Sequence, residues 1–504
     1  MGEGAHAGFP LISLTLLTLP LGALLIWLVP DRRKARWIAL LAASCDLVLT
    51  LSILGRFEAA NAGFQLVERL PWIPSLNVQY LVGVDGISVL FLPLTVLLFM
   101  GLILAGWNTT KNMQRLYYTL LLLLESATLG VFCALDLVLF FLFWELTLIP
   151  LYFLISLWGV GPNRRYAAVK YTLLMLAGGV PLLFGFLLLA FNQADVAGTG
   201  VPAGLAWSYP ELVNTPLPAS IETTVFLLLL VGFGVKTPLF PLHTWLPVVS
   251  VEGPTSVAAL MTGLKLGAYG LLRFAVPLAP GAAQELHWLL AGLGVVGVLY
   301  GALAAMAQTN LRRMLAYSSM SHVGLVVLGI GSLNIQGFQG ALFQLLNFVV
   351  VAGGAFLLIG LLRARTGSTD ISNLGGVAQS MPLLTSFFFL FGLAAMGVPG
   401  TNGFPAELLI LLGALSSHTG AGLAALFGVV LGAAYFLSMF RRGFLGRVRQ
   451  VAVADAHDLK PRELAVACLL TVTILVTGLY PQSVLDLTRS ASESWVLRVQ
   501  SPGN

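Results

Sequence analysis

The chain is a succession of apolar runs, each long enough to cross a bilayer, and this repetition limits the possible folds more than any other feature. A hydrocarbon core of about 30 Å takes roughly 20 apolar residues of helix, because only helices and closed barrels satisfy their backbone groups in lipid. Such runs fall near residues 10–29, 37–55, 84–106, 116–134, 137–158, 167–192, 223–247, 255–277, 287–308, 314–331, 337–362, 382–412, 420–440 and 463–481. They predict an all-α polytopic membrane protein with 14 transmembrane helices. Composition agrees: 58% of the residues are hydrophobic and 9% charged, against about 25% charged in soluble domains. A soluble enzyme, a disordered chain and a secreted disulfide scaffold are excluded.

Positive charge alternates along the chain. Arg32, Arg33, Lys34 and Arg36 follow the first run, and Lys111 with Arg115, Arg164 with Arg165, Arg312 with Arg313, Arg363 with Arg365, and Arg441 with Arg442 follow odd-numbered runs. The positive-inside rule puts these loops on the inner side and both termini on the lumenal or periplasmic side. The net charge of +5 is read as this topology, and no nucleic-acid partner is expected. Glu3 and His6 precede the first run without Lys or Arg, so it reads as a retained helix rather than a cleaved signal. The longer outer loops, near 56–83 and 193–222, read as surface cover. Cys45, Cys133 and Cys468 stand singly in apolar runs and read as core thiols.

Several ionisable residues lie near mid-membrane depth. At about 1.5 Å per residue, Glu125, Glu145, Lys236, Lys265 and His322 are each some 15 Å from the ends of their runs. Glu407 lies in the long twelfth run. A charge at the bilayer centre costs roughly 2.5–3.5 kcal/mol, so Glu145, Lys236, Lys265 and Glu407 together would cost about 12 kcal/mol if unpaired. Static ion pairs are the bland reading, and His322 alone could be a satisfied core residue. Together the six point to a proton or ion relay.

Two of the runs are broken. The seventh carries Pro238, Pro241 and Pro247 just after Lys236, and the twelfth carries Gly397-Val-Pro399-Gly400-Thr-Asn402-Gly403 just before Glu407. Broken helices at membrane depth line protein or water. The breaks lie five runs apart, which predicts two inverted five-helix repeats, helices 4–8 and 9–13, with broken helices 7 and 12. The expected organisation is 1–115, the N-terminal helices; 116–277, the first repeat; 287–443, the second; and 444–504, a last helix and tail. Gly292-Leu-Gly294-Val-Val-Gly297 matches a dinucleotide fingerprint but follows no strand, so close helix packing explains it, as it does Gly428-x-x-x-Gly432. The Asn108-Thr-Thr sequon falls on an inner loop, where glycosylation is not expected. No zinc, haem or iron–sulfur ligand pattern occurs, so no cofactor or metal is expected on this chain.

With these motifs in place, the chain resembles the antiporter-like proton-channel subunits of respiratory and photosynthetic complex I. The matching stretches are Leu81-Val-Gly-Val-Asp85-Gly-Ile-Ser88, Phe143-Trp-Glu145-Leu-Thr-Leu-Ile-Pro150, Gly234-Val-Lys236-Thr-Pro-Leu-Phe-Pro-Leu-His243-Thr-Trp-Leu-Pro247, Leu264-Lys265-Leu-Gly-Ala-Tyr-Gly270, Tyr317-Ser-Ser-Met-Ser-His322-Val-Gly324, Gly403-Phe-Pro-Ala-Glu407 and Asp458-Leu-Lys-Pro-Arg-Glu463. Glu407, where chain 5-like and chain 2-like members carry Lys, points to the chain 4 (M/D) type and to a cyanobacterial or chloroplast-type NAD(P)H–quinone oxidoreductase. The resemblance implies a coupling ion pair between Glu145 and Lys236, with Glu125 an auxiliary charge beside it. Lys265 and His322 would pass the proton laterally through water, and Glu407 would release it. It also implies chain 5-like and chain 2-like partners, with quinone and iron–sulfur clusters held by other subunits, in a thylakoid or bacterial inner membrane.

Two departures stand out. The family's Asp and His after the seventh break are replaced in Val248-Val-Ser250-Val-Glu252, and the eleventh run has Asn347-Phe348 where Asn-His is usual. Either water and Ser250 stand in for the missing groups, or the chain is a specialised paralogue, for which inorganic-carbon uptake is one expectation. The rivals from other classes are a subunit of an Mrp-type Na+/H+ antiporter and the membrane arm of an energy-converting hydrogenase. A pure scaffold is the remaining alternative.

Overall fold

The computed structural model describes residues 9–108, 112–198, 200–202 and 204–501. Glu3, His6, Lys111 and the sequon's Thr109 and Thr110 lie outside them. The chain opens with α1 (Leu11–Leu28) and α2 (Ala35–Arg56), then a hairpin of β1 (Gln65–Ile73) and β2 (Val78–Val84). There follow α3 (Phe91–Ala105), α4 (Gln114–Cys133), α5 (Leu137–Leu146), α6 (Leu148–Trp158) and α7 (Arg164–Ala197). Next come α8 (Ala219–Lys236), α9 (Trp245–Glu252), α10 (Thr255–Gly263), α11 (Leu266–Gly270), α12 (His287–Met306), α13 (Leu311–Gly331) and α14 (Ile335–Thr366). The chain closes with α15 (Pro382–Ala395), α16 (Gly403–Ser417), α17 (Thr419–Gly443), α18 (Pro461–Leu479) and α19 (Gln482–Gln500).

Among the described residues, 12 helices are long and apolar enough to cross a membrane, counting α5–α6 as one and Thr255–Leu278 as another. The third expected run is the shorter α3, and the twelfth divides into α15 and α16. Four stretches are enclosed by protein: α4, Thr255–Leu278, α13 and α14. Their apolar character on all sides suits this placement. By contrast α2, α17 and α18 turn most of their surface outward.

Three expectations need correction. The chain is not all-α, because β1 and β2 pair antiparallel with Gln65 opposite Val84 and Ile73 opposite Val78. Pro71 and a ladder irregularity beside it hid the alternation that marks a strand. The last segment is also more than a tail: α19 is an amphipathic helix that seals one face. Its Trp495 donates to the Leu272 carbonyl at 2.9 Å and packs on Phe338, Ser490 donates to the Ala59 carbonyl at 2.7 Å, and Arg498 donates to the Val213 carbonyl. Finally, Cys133 is buried but Cys45 and Cys468 are exposed on the bundle surface.

Packing is closest between α12 and α13. A Cβ at Gly294 would lie 2.7 Å from the Leu328 nitrogen, and one at Gly324 would lie 2.5 Å from the Val298 nitrogen. Only glycine allows backbones to meet this closely. The GxGxxG-like stretch therefore serves helix packing. Gly428 likewise admits Val298 of α12 against α17.

Candidate functional site

The seventh run is helical to Lys236, unwinds over 237–244 and resumes as α9. Pro238 and Pro241 lack the N–H groups a continuing helix needs. Lys236 thus stands at the end of α8 with its ammonium facing the junction of α5 and α6. There Nζ donates to the Thr147 hydroxyl at 2.9 Å and the Trp144 carbonyl at 3.1 Å, and lies 3.9 Å from the Trp144 ring centre. Pro150 cannot donate to the preceding turn, which accounts for the interruption between α5 and α6.

Glu145 sits on the same short helix and is an electrostatic neighbour of Lys236. The ion pairs formed among the described residues do not include it. Instead its Oε1 is buried without a hydrogen-bond partner, against Gly179 of α7, where a Cβ would lie 2.5 Å away. The expected pair is therefore open here, with backbone and hydroxyl oxygens taking the lysine's donors.

The eighth run carries a break that the sequence reading missed. Leu264 and Lys265 are non-helical between α10 and α11. Buried Lys265 donates to the Met261 carbonyl at 3.2 Å and lies 5.3 Å from the Phe348 ring centre. Two cavities of about 40 Å³ each include its neighbours Met261 and Phe348 in their linings. One is lined by Lys236, Thr147, Thr128, Tyr171, Met261 and Leu264. The other is lined by His322, Ser318, Ser319, Gln344, Asn347 and Phe348. A water molecule needs about 10–15 Å³ and polar partners, so each has room for water.

His322 on α13 has Nδ1 2.7 Å from the Ser318 carbonyl and Nε2 2.6 Å from the Ala395 carbonyl. Its Nε2 is also 3.6 Å from Glu407 Oε1. Carbonyls only accept, and a neutral imidazole has one N–H. A neutral ring can donate to one of these carbonyls at a time, and a protonated ring to both. The expected break in the twelfth run is present: α15 ends at Ala395 and α16 begins at Gly403. Gly397, at φ +64°, packs so tightly against Glu407 that a Cβ would lie 2.3 Å from Oε2. A small cavity of about 10 Å³ joins His322, Ser321, Tyr435 and Glu407. Asn347 donates to the Asn402 carbonyl in the break at 2.7 Å. The Ser250 hydroxyl is buried and unpartnered.

Glu125 is fully buried on α4, and neither carboxylate oxygen has a hydrogen-bond partner. Its electrostatic neighbour is Asp46 of α2 rather than the Glu145–Lys236 pair. Asp46 was missed, although its position 11 residues after Ala35 matches that of Glu125 after Gln114. Also missed was the buried pair Arg273–Asp85, closed by two hydrogen bonds, one of them 2.7 Å.

Residues 134–432 match the family model described as NADH:quinone oxidoreductase/Mrp antiporter, TM. The chain belongs to this family. The match includes Glu145, Lys236, Lys265, His322 and Glu407. Among full-length relatives, NAD(P)H-quinone oxidoreductase chain 4 2 of Thermosynechococcus vestitus is 39% identical, covering 96% of this chain and 92% of that one. NADH-quinone oxidoreductase subunit M of Rickettsia bellii is 34% identical, covering 97% and 99%. Among solved structures, a chain of respiratory complex I from Thermus thermophilus superimposes with a TM-score of 0.87 at 31% identity, covering 97% and 99%.

Proposed function

We propose that this chain is the chain 4-type membrane-arm subunit of an NAD(P)H–quinone oxidoreductase and translocates protons driven by quinone reduction elsewhere in the complex. Three small cavities carry this reading: one is lined by Lys236, a second by His322, and a third by His322 with Glu407, and buried Lys265 contacts Met261 of the first and lies over Phe348 of the second. A proton held at Lys236 passes by water to Lys265, then to His322, and leaves from Glu407. Closing and opening of the Glu145–Lys236 pair changes how firmly the lysine holds its proton. Glu125, with Asp46, is an auxiliary buried charge next to this route.

The architecture in this reading has 14 transmembrane helices. The first repeat occupies 116–277 and the second 287–443, inverted with respect to each other, flanked by helices at 1–115 and 444–504. Both termini face the lumenal or periplasmic side, and the cyanobacterial relative favours a thylakoid membrane. Chain 5-like and chain 2-like subunits are its neighbours, with quinone and iron–sulfur clusters held elsewhere in the assembly. The family name also covers Mrp antiporters, but the full-length relatives above are quinone oxidoreductase chains. Inorganic-carbon uptake forms no part of this reading.

The test uses the assembled complex in proteoliposomes. Lys236→Ala and Glu145→Gln should assemble yet lose most proton translocation per quinone reduced. Full translocation in either assembled variant overturns the relay and favours a scaffold.

A further inference from the structure

His287 and His418 lie outside the relay. His287 is the first residue of α12, and His418 occupies the turn between α16 and α17. They are 131 positions apart in sequence, yet His287 Nδ1 lies 3.1 Å from His418 Nε2. The rings are stacked, with centres 4.7 Å apart and planes at 24°. Both are part-exposed, and neither forms an ion pair with a carboxylate among the described residues. Among the described residues, the other polar contact of this nitrogen pair is His418 Nε2 at 3.3 Å from the Gly331 carbonyl, a long contact that Nε2 gives up when its lone pair takes a metal.

Two neutral imidazoles side by side share one hydrogen bond at best, and two imidazolium rings repel. A metal ion changes this balance. With metal–nitrogen bonds of about 2.0–2.1 Å, nitrogens 3.1 Å apart subtend about 100° at a shared ion, close to the tetrahedral angle of zinc sites. Imidazole is also the protein ligand best suited to zinc and its neighbours among the divalent metals. Among the described residues no third His, Cys, Asp or Glu completes a cluster, so water would fill the remaining positions and the ion would exchange readily.

We propose that His287 and His418 form a binding site for a zinc-like divalent cation, which clasps the start of α12 to the turn after α16. The position gives the clasp a consequence. His418 is 11 residues beyond Glu407 along α16, about 16 Å at helical rise, and Val298 of α12 and Glu407 of α16 line the same small cavity. A metal joining the ends of these helices braces the walls around Glu407. Binding itself does not depend on the relay, so the two readings fail separately.

The experiment equilibrates the purified intact complex by dialysis against Zn2+ alone over a range of free concentrations and measures bound zinc by elemental analysis. His287→Ala, His418→Ala and His418→Asn are compared with the parent. The Asn variant can still donate to the Gly331 carbonyl, so it separates ligand loss from disturbed folding. Expected is the loss of one zinc equivalent per complex in all three variants, with anomalous scattering density at the zinc edge between the two rings in the parent. Parent-level zinc in His418→Asn, or no density between the rings, overturns the proposal.

Discussion

Replacing Asp85 tests how the bundle tolerates charge. The carboxylate receives two hydrogen bonds from Arg273 and one each from the Ile87 and Ser88 amides, both at 3.1 Å. Asp85 and Arg273 have side chains only 5% and 4% exposed. The guanidinium also lies 5.2 Å from the Phe64 ring centre and 5.7 Å from that of Tyr209. Asp85→Ala leaves a buried guanidinium without its counter-charge, at a cost of about 3–5 kcal/mol. Arg273→Ala strands the carboxylate, which keeps its two amide donors, so about 3 kcal/mol is expected. The double variant strands neither charge. It should therefore be more stable than the sum of the single losses by about 3 kcal/mol, the upper end of measured couplings between contacting residues. The assay is thermal release of this chain from the purified complex, with midpoints for the three variants and the parent. Proton translocation per quinone in the assembled fraction should match the parent, because neither residue belongs to the relay. Strictly additive losses would refute the reasoning.

Other perturbations probe separate parts of the structure. Gly397→Ala places a methyl against Glu407 Oε2 in a left-handed conformation; about 2–4 kcal/mol of strain is expected, read as reduced proton release from an assembled complex. Asp136→Ala removes the acceptor for Val138 and Leu139 at the start of α5 and for Gln79 of β2. It should lower thermal stability by about 1–2 kcal/mol and leave translocation per assembled complex intact. Trp495→Ala empties a buried indole site and removes the bond to the Leu272 carbonyl. About 3–5 kcal/mol should be lost, with α19 becoming more accessible to protease.

The sequence revealed most of the bundle because lipid leaves a chain few options. An apolar run of about 20 residues is helical for want of other backbone partners, and three prolines after Lys236 cannot continue a helix. The break at Lys265 was hidden although Gly263 and Gly267 flank it, because single glycines are tolerated inside a helix and no proline stands beside them. The strands were obscured by Pro71 and by exposed apolar residues such as Leu70 and Trp72, which blur the usual alternation. Depth arithmetic puts Lys236, Lys265 and His322 near mid-membrane, but depth along a helix says nothing about direction around it. Glu125, which the resemblance sets beside Glu145 and Lys236, has Asp46 of α2 as an electrostatic neighbour that depth alone does not reveal.

Where Gly294, Gly297 and Gly301 lie against Gly324 and Ser321, two helices touch main chain to main chain. No flexible side chains separate them, so sliding or rolling one past the other would bring rigid atoms into collision. His322 therefore rides on a fixed rail. A change at its ring calls for water or charge to rearrange around it, since α12 and α13 cannot slide past each other without main-chain collision.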